Sequence, residues 1–179
     1  FTARERFDRS CGKAWNKFVK KARLPHLTEL LTLDTVLCPS VITQLKDEDW
    51  EHNVHQDHRI MYFHDLDYLL DRISEQKTAA NVLAVLFEPH PDSMERFRDE
   101  RFSFQGYDLI DEGSDISALT NCSGFDKAFV STHISEVGLL AHYDLAKEVQ
   151  ENLRLYYPEE PHADCALWAI WKMTEQARQ

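Results

Sequence analysis

The sequence predicts a single α+β domain over residues 1–179, a mainly antiparallel sheet packed against about three amphipathic helices. Three observations predict it. Apolar stripes with a period near 3.6 recur at Trp15–Ala22, Leu66–Ile73 and Leu145–Tyr156. Two short apolar runs, Asn81–Phe87 and Cys165–Met173, read as buried strands. Phe102 to Phe125 carries the densest turn chemistry of the chain and reads as a β-hairpin.

Taken in order, a basic helix spans about residues 11–23, with Trp15, Phe18, Val19 and Ala22 on one face and the lysines on the other. Leu24-Pro25 ends it, and His26 to Leu31 suits a short helical turn. Val36 and Leu37 favour a strand within Leu33–Val41, which Pro39 stops. Residues 44–58 are polar and histidine-rich, a surface segment. Asp65 is placed to cap the helix of Leu66, Leu69, Leu70 and Ile73. Residues 92–101 alternate acids and bases, as a solvated loop or short helix does.

In the hairpin stretch, Phe102 and Phe104 alternate on one face, whereas Tyr107 and Leu109 fall in the opposite phase. A bulge at Gly106 would return all four to the core side, because one extra residue flips a period of two. Asp111 to Asp115 supplies the turn, with Gly113 free to take positive φ, and Ile116–Thr120 returns as the partner strand. Asp126–Val130 suits a short helix and Ile134–Leu140 an irregular connection. Leu145, Val149, Leu153 and Tyr156 then mark the buried face of a helix that Pro158 closes. Cys165–Met173, apolar on both alternating faces, reads as a central strand, and the polar tail from about 174 to 179 is expected to fray.

Composition narrows the function classes. Hydrophobic residues are 43% and charged residues 28%, and no apolar run is long enough to span a membrane. The start at Phe1 implies a trimmed chain, and the N-terminal stretch has no secretory h-region. Cys11, Cys38, Cys122 and Cys165 are widely spaced, which points to reduced thiols and a cytoplasmic home. The net charge of −11 is uneven: residues 1–25 carry +6 and the remainder −17. Such a body repels nucleic acid and anionic membrane and attracts a basic partner. The basic helix is expected to dock on that body. No phosphate-cradling glycine motif is present.

Candidate binding residues are the acids and tryptophan of Asp47, Glu48, Asp49, Trp50 and Glu51, with Asp111, Glu112 and Asp115 at the hairpin tip. Solvated acids are the plainer reading of both groups, but acids around a tryptophan also suit a protein interface. His52, His55 and His58, with His162 and Cys165, carry the side chains that hold zinc or iron. Steps of three drift around a helix, so H-x-x-H-x-x-H cannot aim three rings at one ion, and hydrophilic surface histidines explain the segment as well. Cys122 precedes Gly124 and a short helical stretch, where a thiol can be activated, with His133 or His162 as partner. A small buried cysteine beside a turn is the plainer reading.

In size, acidity, α+β character and lack of a catalytic signature, the chain resembles in type the immunity proteins that neutralise bacterial toxins. No motif carries that resemblance, which implies a small acidic protein-binding module. The alternatives are a metal-binding protein or metal-dependent hydrolase using the His/Cys cluster, and a Cys122-dependent hydrolase; no cofactor is strongly implied, and zinc is an ion the cluster would suit.

Overall fold

A strand from the C-terminal end of the chain lies in the middle of the principal sheet. The computed structural model describes residues 1–77, 79–121 and 124–175. In chain order the first elements are β1 (Thr2–Glu5), β2 (Phe7–Asp8), α1 (Lys13–Ala22), β3 (Glu29–Leu30), α2 (Trp50–Asn53), β4 (Val54–Asp57) and β5 (Ile60–Phe63). Then come α3 (Leu66–Gln76), β6 (Ala80–Phe87), α4 (Pro91–Met94), β7 (Phe102–Asp111), α5 (Tyr143–Tyr156) and β8 (Cys165–Met173). The principal sheet is antiparallel, in the order β1-β6-β8-β7. The fold is therefore α+β, with β2–β3 and β4–β5 as separate two-stranded ribbons.

β8 is apolar on both faces because both are covered. Leu167, Ala169, Trp171 and Met173 join a core with Trp15 and Phe18 of α1, Leu66 and Leu69 of α3, and Val149 and Leu153 of α5. Ala166, Trp168 and Ile170 join a second core on the opposite face, built with Leu31, Leu33 and Ile60 from loops and the β4–β5 ribbon. Helices thus pack on one face, and loops close the other.

Gly106 is a bulge. The β7–β8 register shifts between Phe104 and Gly106, and Phe102, Tyr107 and Leu109 are all buried in the helix-side core. Phe104 stays 40% exposed yet packs on Tyr107 and Trp171. Gly106 has φ +139°, and a Cβ there would stand 2.5 Å from the Leu140 carbonyl oxygen. Only glycine admits that approach.

Several local expectations are corrected. Ile116–Thr120 is a turn touching β7 through one bridge, Ile110 to Ser117, on the edge away from β8, where the Asp34 and Asp108 carboxylates hold Ser117. Positive φ in the preceding turn falls to Asp115 at 55°, not Gly113. His26–Leu31 contains β3 rather than a helical turn, and Asp126–Val130 is a turn. The Leu33–Val41 segment forms no strand: the Asp34 carboxylate accepts from the Val36 and Leu37 amides, 2.8 Å each, and curls it. The buried face of α5 is Ala146, Val149, Gln150 and Leu153, leaving Tyr156 48% exposed. Gln150 can be buried because its amide donates to the Cys165 carbonyl at 2.8 Å.

α1 packs on the body through Trp15 and Phe18 against Phe7. Among the described residues its lysines make no ion pair with the acidic body, so the docking is apolar and not electrostatic. Asp65 caps α3, accepting from the Asp67 and Tyr68 amides.

Candidate functional site

The candidate site is the end of β6, and backbone register places it. β1 covers β6 only as far as the pair Thr2–Leu83. The Ala3 carbonyl accepts from Val41 and the Glu5 amide donates to Pro39, so these residues point their backbone away from β6. Phe1 points away too, exchanging bonds of 2.7 and 2.6 Å with Phe63. Thr2 and Arg4 therefore face Leu83 and Asn81. A period of two puts the N–H and C=O groups of Val85 and Phe87 on that same edge. In the register of β1, the positions opposite them are those that precede Phe1.

A cleft flanks this edge on each face of the sheet. On the helix side it measures about 360 Å³, lined by Phe1, Phe63, Leu86, Phe97 and Trp171 with Arg96 at the rim. On the loop side it measures about 210 Å³, lined by Tyr62, His64, Phe87, Trp168 and Asp57. Trp171 and Trp168 are consecutive same-strand floors, one for each face, because they lie on opposite faces of β8. His64 lines both clefts. Its ring lies 4.5 Å from that of His55 and 5.3 Å from Tyr62, and His55 stacks on Tyr62 at 5.7 Å. These rings form a rigid wall beside the edge.

At the far end, His58 stacks on Phe87, with centroids 3.8 Å apart and planes 16° from parallel. Its nitrogens lie 3.4 Å from Asp57 and 3.7 Å from Glu112, so the hairpin tip reaches the end of the edge. The chemistry offered is aromatic surface on both sides, and carboxylates on one side only.

The other sequence candidates fall elsewhere. Asp47 is held by the Tyr68 hydroxyl at 2.7 Å and Arg72 at 2.9 Å, and these contacts keep its carboxyl below the ordinary range. Glu48, Asp49 and Glu51 are exposed. Trp50 is half-buried, its indole donating to the Ile42 carbonyl at 3.1 Å with Lys46 over the ring. Asp111 is buried, its carboxylate accepting from the Gly113 amide and the Ser114 hydroxyl. Asp115 pairs with Arg59 at 3.8 Å.

His52 lies in α2, His55 in the ring wall and His58 on Phe87, so the three do not converge. Among the described residues no three His, Cys, Asp or Glu side chains are grouped to hold a metal ion. Burial pushes the Cys165 thiol up to about 12. Cys122 lies outside the described residues. His162 is buried, its Nε2 2.7 Å from the Asn121 amide nitrogen and its Nδ1 4.0 Å from Asp111. Burial lowers its pKa against the opposing pull of Asp111, Glu160 and Asp34. The adjoining cleft, about 370 Å³, is walled by Arg23, Leu24, Phe125 and Phe129, with Asn121 and Asp126 at its polar side.

The chain matches no family model, no curated protein sequence and no solved structure. Among the described residues no helix is long and apolar enough to cross a membrane. The β6 edge was not legible in sequence. Its only trace there is the aromatic content of Phe87, Trp168 and Trp171, which core packing explains equally well.

Proposed function

We propose that this chain is a protein-binding module that takes up a segment of a partner in the two aromatic-lined clefts beside β6. The observation that carries the reading is the pair of aromatic-lined clefts on the two faces of β6. The acidic body supports a basic partner, whose encounter it would accelerate. The unpaired thiols of Cys11, Cys38 and Cys165 support a reducing, cytoplasmic setting.

The test is selection of displayed random 12-residue peptides on the wild-type protein, followed by amide hydrogen exchange with the winners. The reading expects slowed exchange at the Val85 and Phe87 amides. Winners that protect amides elsewhere, or no winners, would overturn it.

A further inference from the structure

The lysines of α1 carry charge that the fold does not use. We infer that their exposed face is a docking surface for an acidic segment of a partner protein, separate from the clefts beside β6.

α1 is a ten-residue helix, Lys13–Ala22. Lys13, Lys17, Lys20 and Lys21 recur at i, i+4, i+7 and i+8, so they share an arc of about 100° and rise over about 12 Å along the axis. All four are exposed, whereas Trp15 and Phe18 on the opposite face are buried in the core. The chain contains no acid from Arg9 to Thr28. The acids that flank this stretch are engaged: Asp8 accepts from the Ser10 amide and hydroxyl, and Glu29 pairs with Lys172. Among the described residues none of the four lysines lies within ion-pair distance of a carboxylate. In the β1–β6 register the positions that precede Phe1 run beside Val85 and Phe87, away from the Glu5–Ala80 end, where the chain leaves β1 for α1.

This arrangement works against the helix. Lys13 stands at the first position with no acid in the first turn, against the macrodipole. Lys13–Lys17 and Lys17–Lys21 set like charges four apart, which is destabilising. Only Lys20 and Lys21, in the last turn, suit the dipole. A helix that had only to seat Trp15 and Phe18 would gain from an acid at position 13. An anionic partner relieves the charge that the fold leaves uncompensated.

Three features select a protein segment among anions. The apolar face of α1 is taken up by the core, so the helix has nothing to insert into a bilayer. Its exposed face carries no aromatic ring on which a base could stack. The stripe ends with the helix, and the chain beyond residue 25 carries −17, so a membrane plane or a long duplex would overhang repulsive surface. A short acidic run does not. In an extended chain every second side chain falls on one side at about 6.6 Å, close to the rise of about 6 Å from Lys13 to Lys17 and from Lys17 to Lys21. The stripe therefore fits a segment with acids at alternate positions.

The experiment uses the wild-type chain and a capped twelve-residue peptide alternating glutamate and serine, labelled for fluorescence anisotropy. A duplex DNA and vesicles of mixed phosphatidylserine and phosphatidylcholine are the competing anions. Because the chain as a whole is negative, it repels the peptide unless the stripe acts locally. The peptide is expected to bind at low salt and to weaken about tenfold at physiological salt. It should protect Lys13, Lys17, Lys20 and Lys21 from chemical acetylation, as peptide mass spectrometry reads. Lys17→Glu should weaken binding about tenfold, and Arg98→Glu, the same change of charge between α4 and β7, less than about twofold.

No binding of the peptide, binding that leaves these lysines open to acetylation, or equal losses in the two variants would overturn the inference. Tighter binding of the duplex or the vesicles, with the same lysines protected, would make nucleic acid or membrane the occupant and overturn it too. So would protection without peptide that grows with protein concentration, which would make a second copy of the chain the occupant. The acetylation pattern of the wild-type chain decides the matter even if a variant is destabilised.

Discussion

Asp34 and Asp108 close on Ser117 from two sides. The Asp34 carboxylate accepts from the Ser117 amide at 3.1 Å, and that of Asp108 accepts from the Ser117 hydroxyl at 2.5 Å. Asp108 also takes the Leu33 amide at 2.7 Å, so the two acids tie the 33–37 and 115–117 loops to the sheet. Arg4 lies buried beneath the same loops, donating to the Cys38 carbonyl at 3.3 Å; burial lowers its pKa, and the nearby acids counter that only in part.

Full burial pushes the Asp108 carboxyl up to about 6, against the bonds from Ser117 and Leu33. In the unfolded chain the group sheds its proton near the ordinary value of about 3.9. Between these values the folded state binds more protons, so the contribution of Asp108 to stability falls as pH rises and levels off above pH 6. Asp108→Asn lacks this titration. Urea unfolding should show wild type losing on the order of 3 kcal/mol relative to Asp108→Asn between pH 4 and 7. A difference that stays constant over that range would contradict the assignment.

Gly106 is required twice, by its φ and by the Leu140 carbonyl against it. Tyr107 and Leu140 exchange backbone bonds of 2.8 and 2.9 Å, so that carbonyl cannot retreat without breaking a pair. Gly106→Ala is expected to cost on the order of 3 kcal/mol in urea unfolding, and the neighbouring Gln105→Ala less than about 1 kcal/mol. Similar costs for the two would mean that the bulge relaxes.

Burial raises the thiols of Cys38 and Cys165 to about 12. The thiolate is the reactive form. Neither should be alkylated by iodoacetamide at pH 7.5 in the native protein, and both should react once urea unfolds it, as peptide mass spectrometry reads. Native labelling of Cys165 would show β8 to be loose.

What the sequence revealed follows from how many faces of each element are covered. α1 and α3 bury one stripe each, and β8 buries both faces, so their patterns are clean. β1 escaped detection because its sequence, Thr-Ala-Arg-Glu, hides a buried arginine that looks like a surface residue. Ile116–Thr120 has strand-like composition, but Asp34 and Asp108 bind Ser117 and the segment turns after a single bridge. In α5, Val149 and Leu153 are buried as their spacing indicates, but Ala146 and Gln150 complete the face in place of Leu145 and Tyr156, since Gln150 reaches the core through a hydrogen bond that composition cannot show. The clefts beside β6 depend on the pairing of β1 with β6, a relation between residues some eighty positions apart. The acids of the hairpin tip divide accordingly: Asp111 turns inward to hold its own loop, while Glu112 reaches His58 and the edge.

The central place of β8 governs how the molecule can be made. Residues 1–164 can form helices and the small ribbons on the ribosome, but β6 and β7 have no common partner until β8 emerges. Nearly the whole chain must be synthesised before the sheet can close, and the closing contacts span long loops. A nascent chain halted before Cys165 would expose the apolar faces of two strands at once, so chaperones and proteases would meet it in that state. Loss of β8 would thus part β6 from β7 and open both cores together.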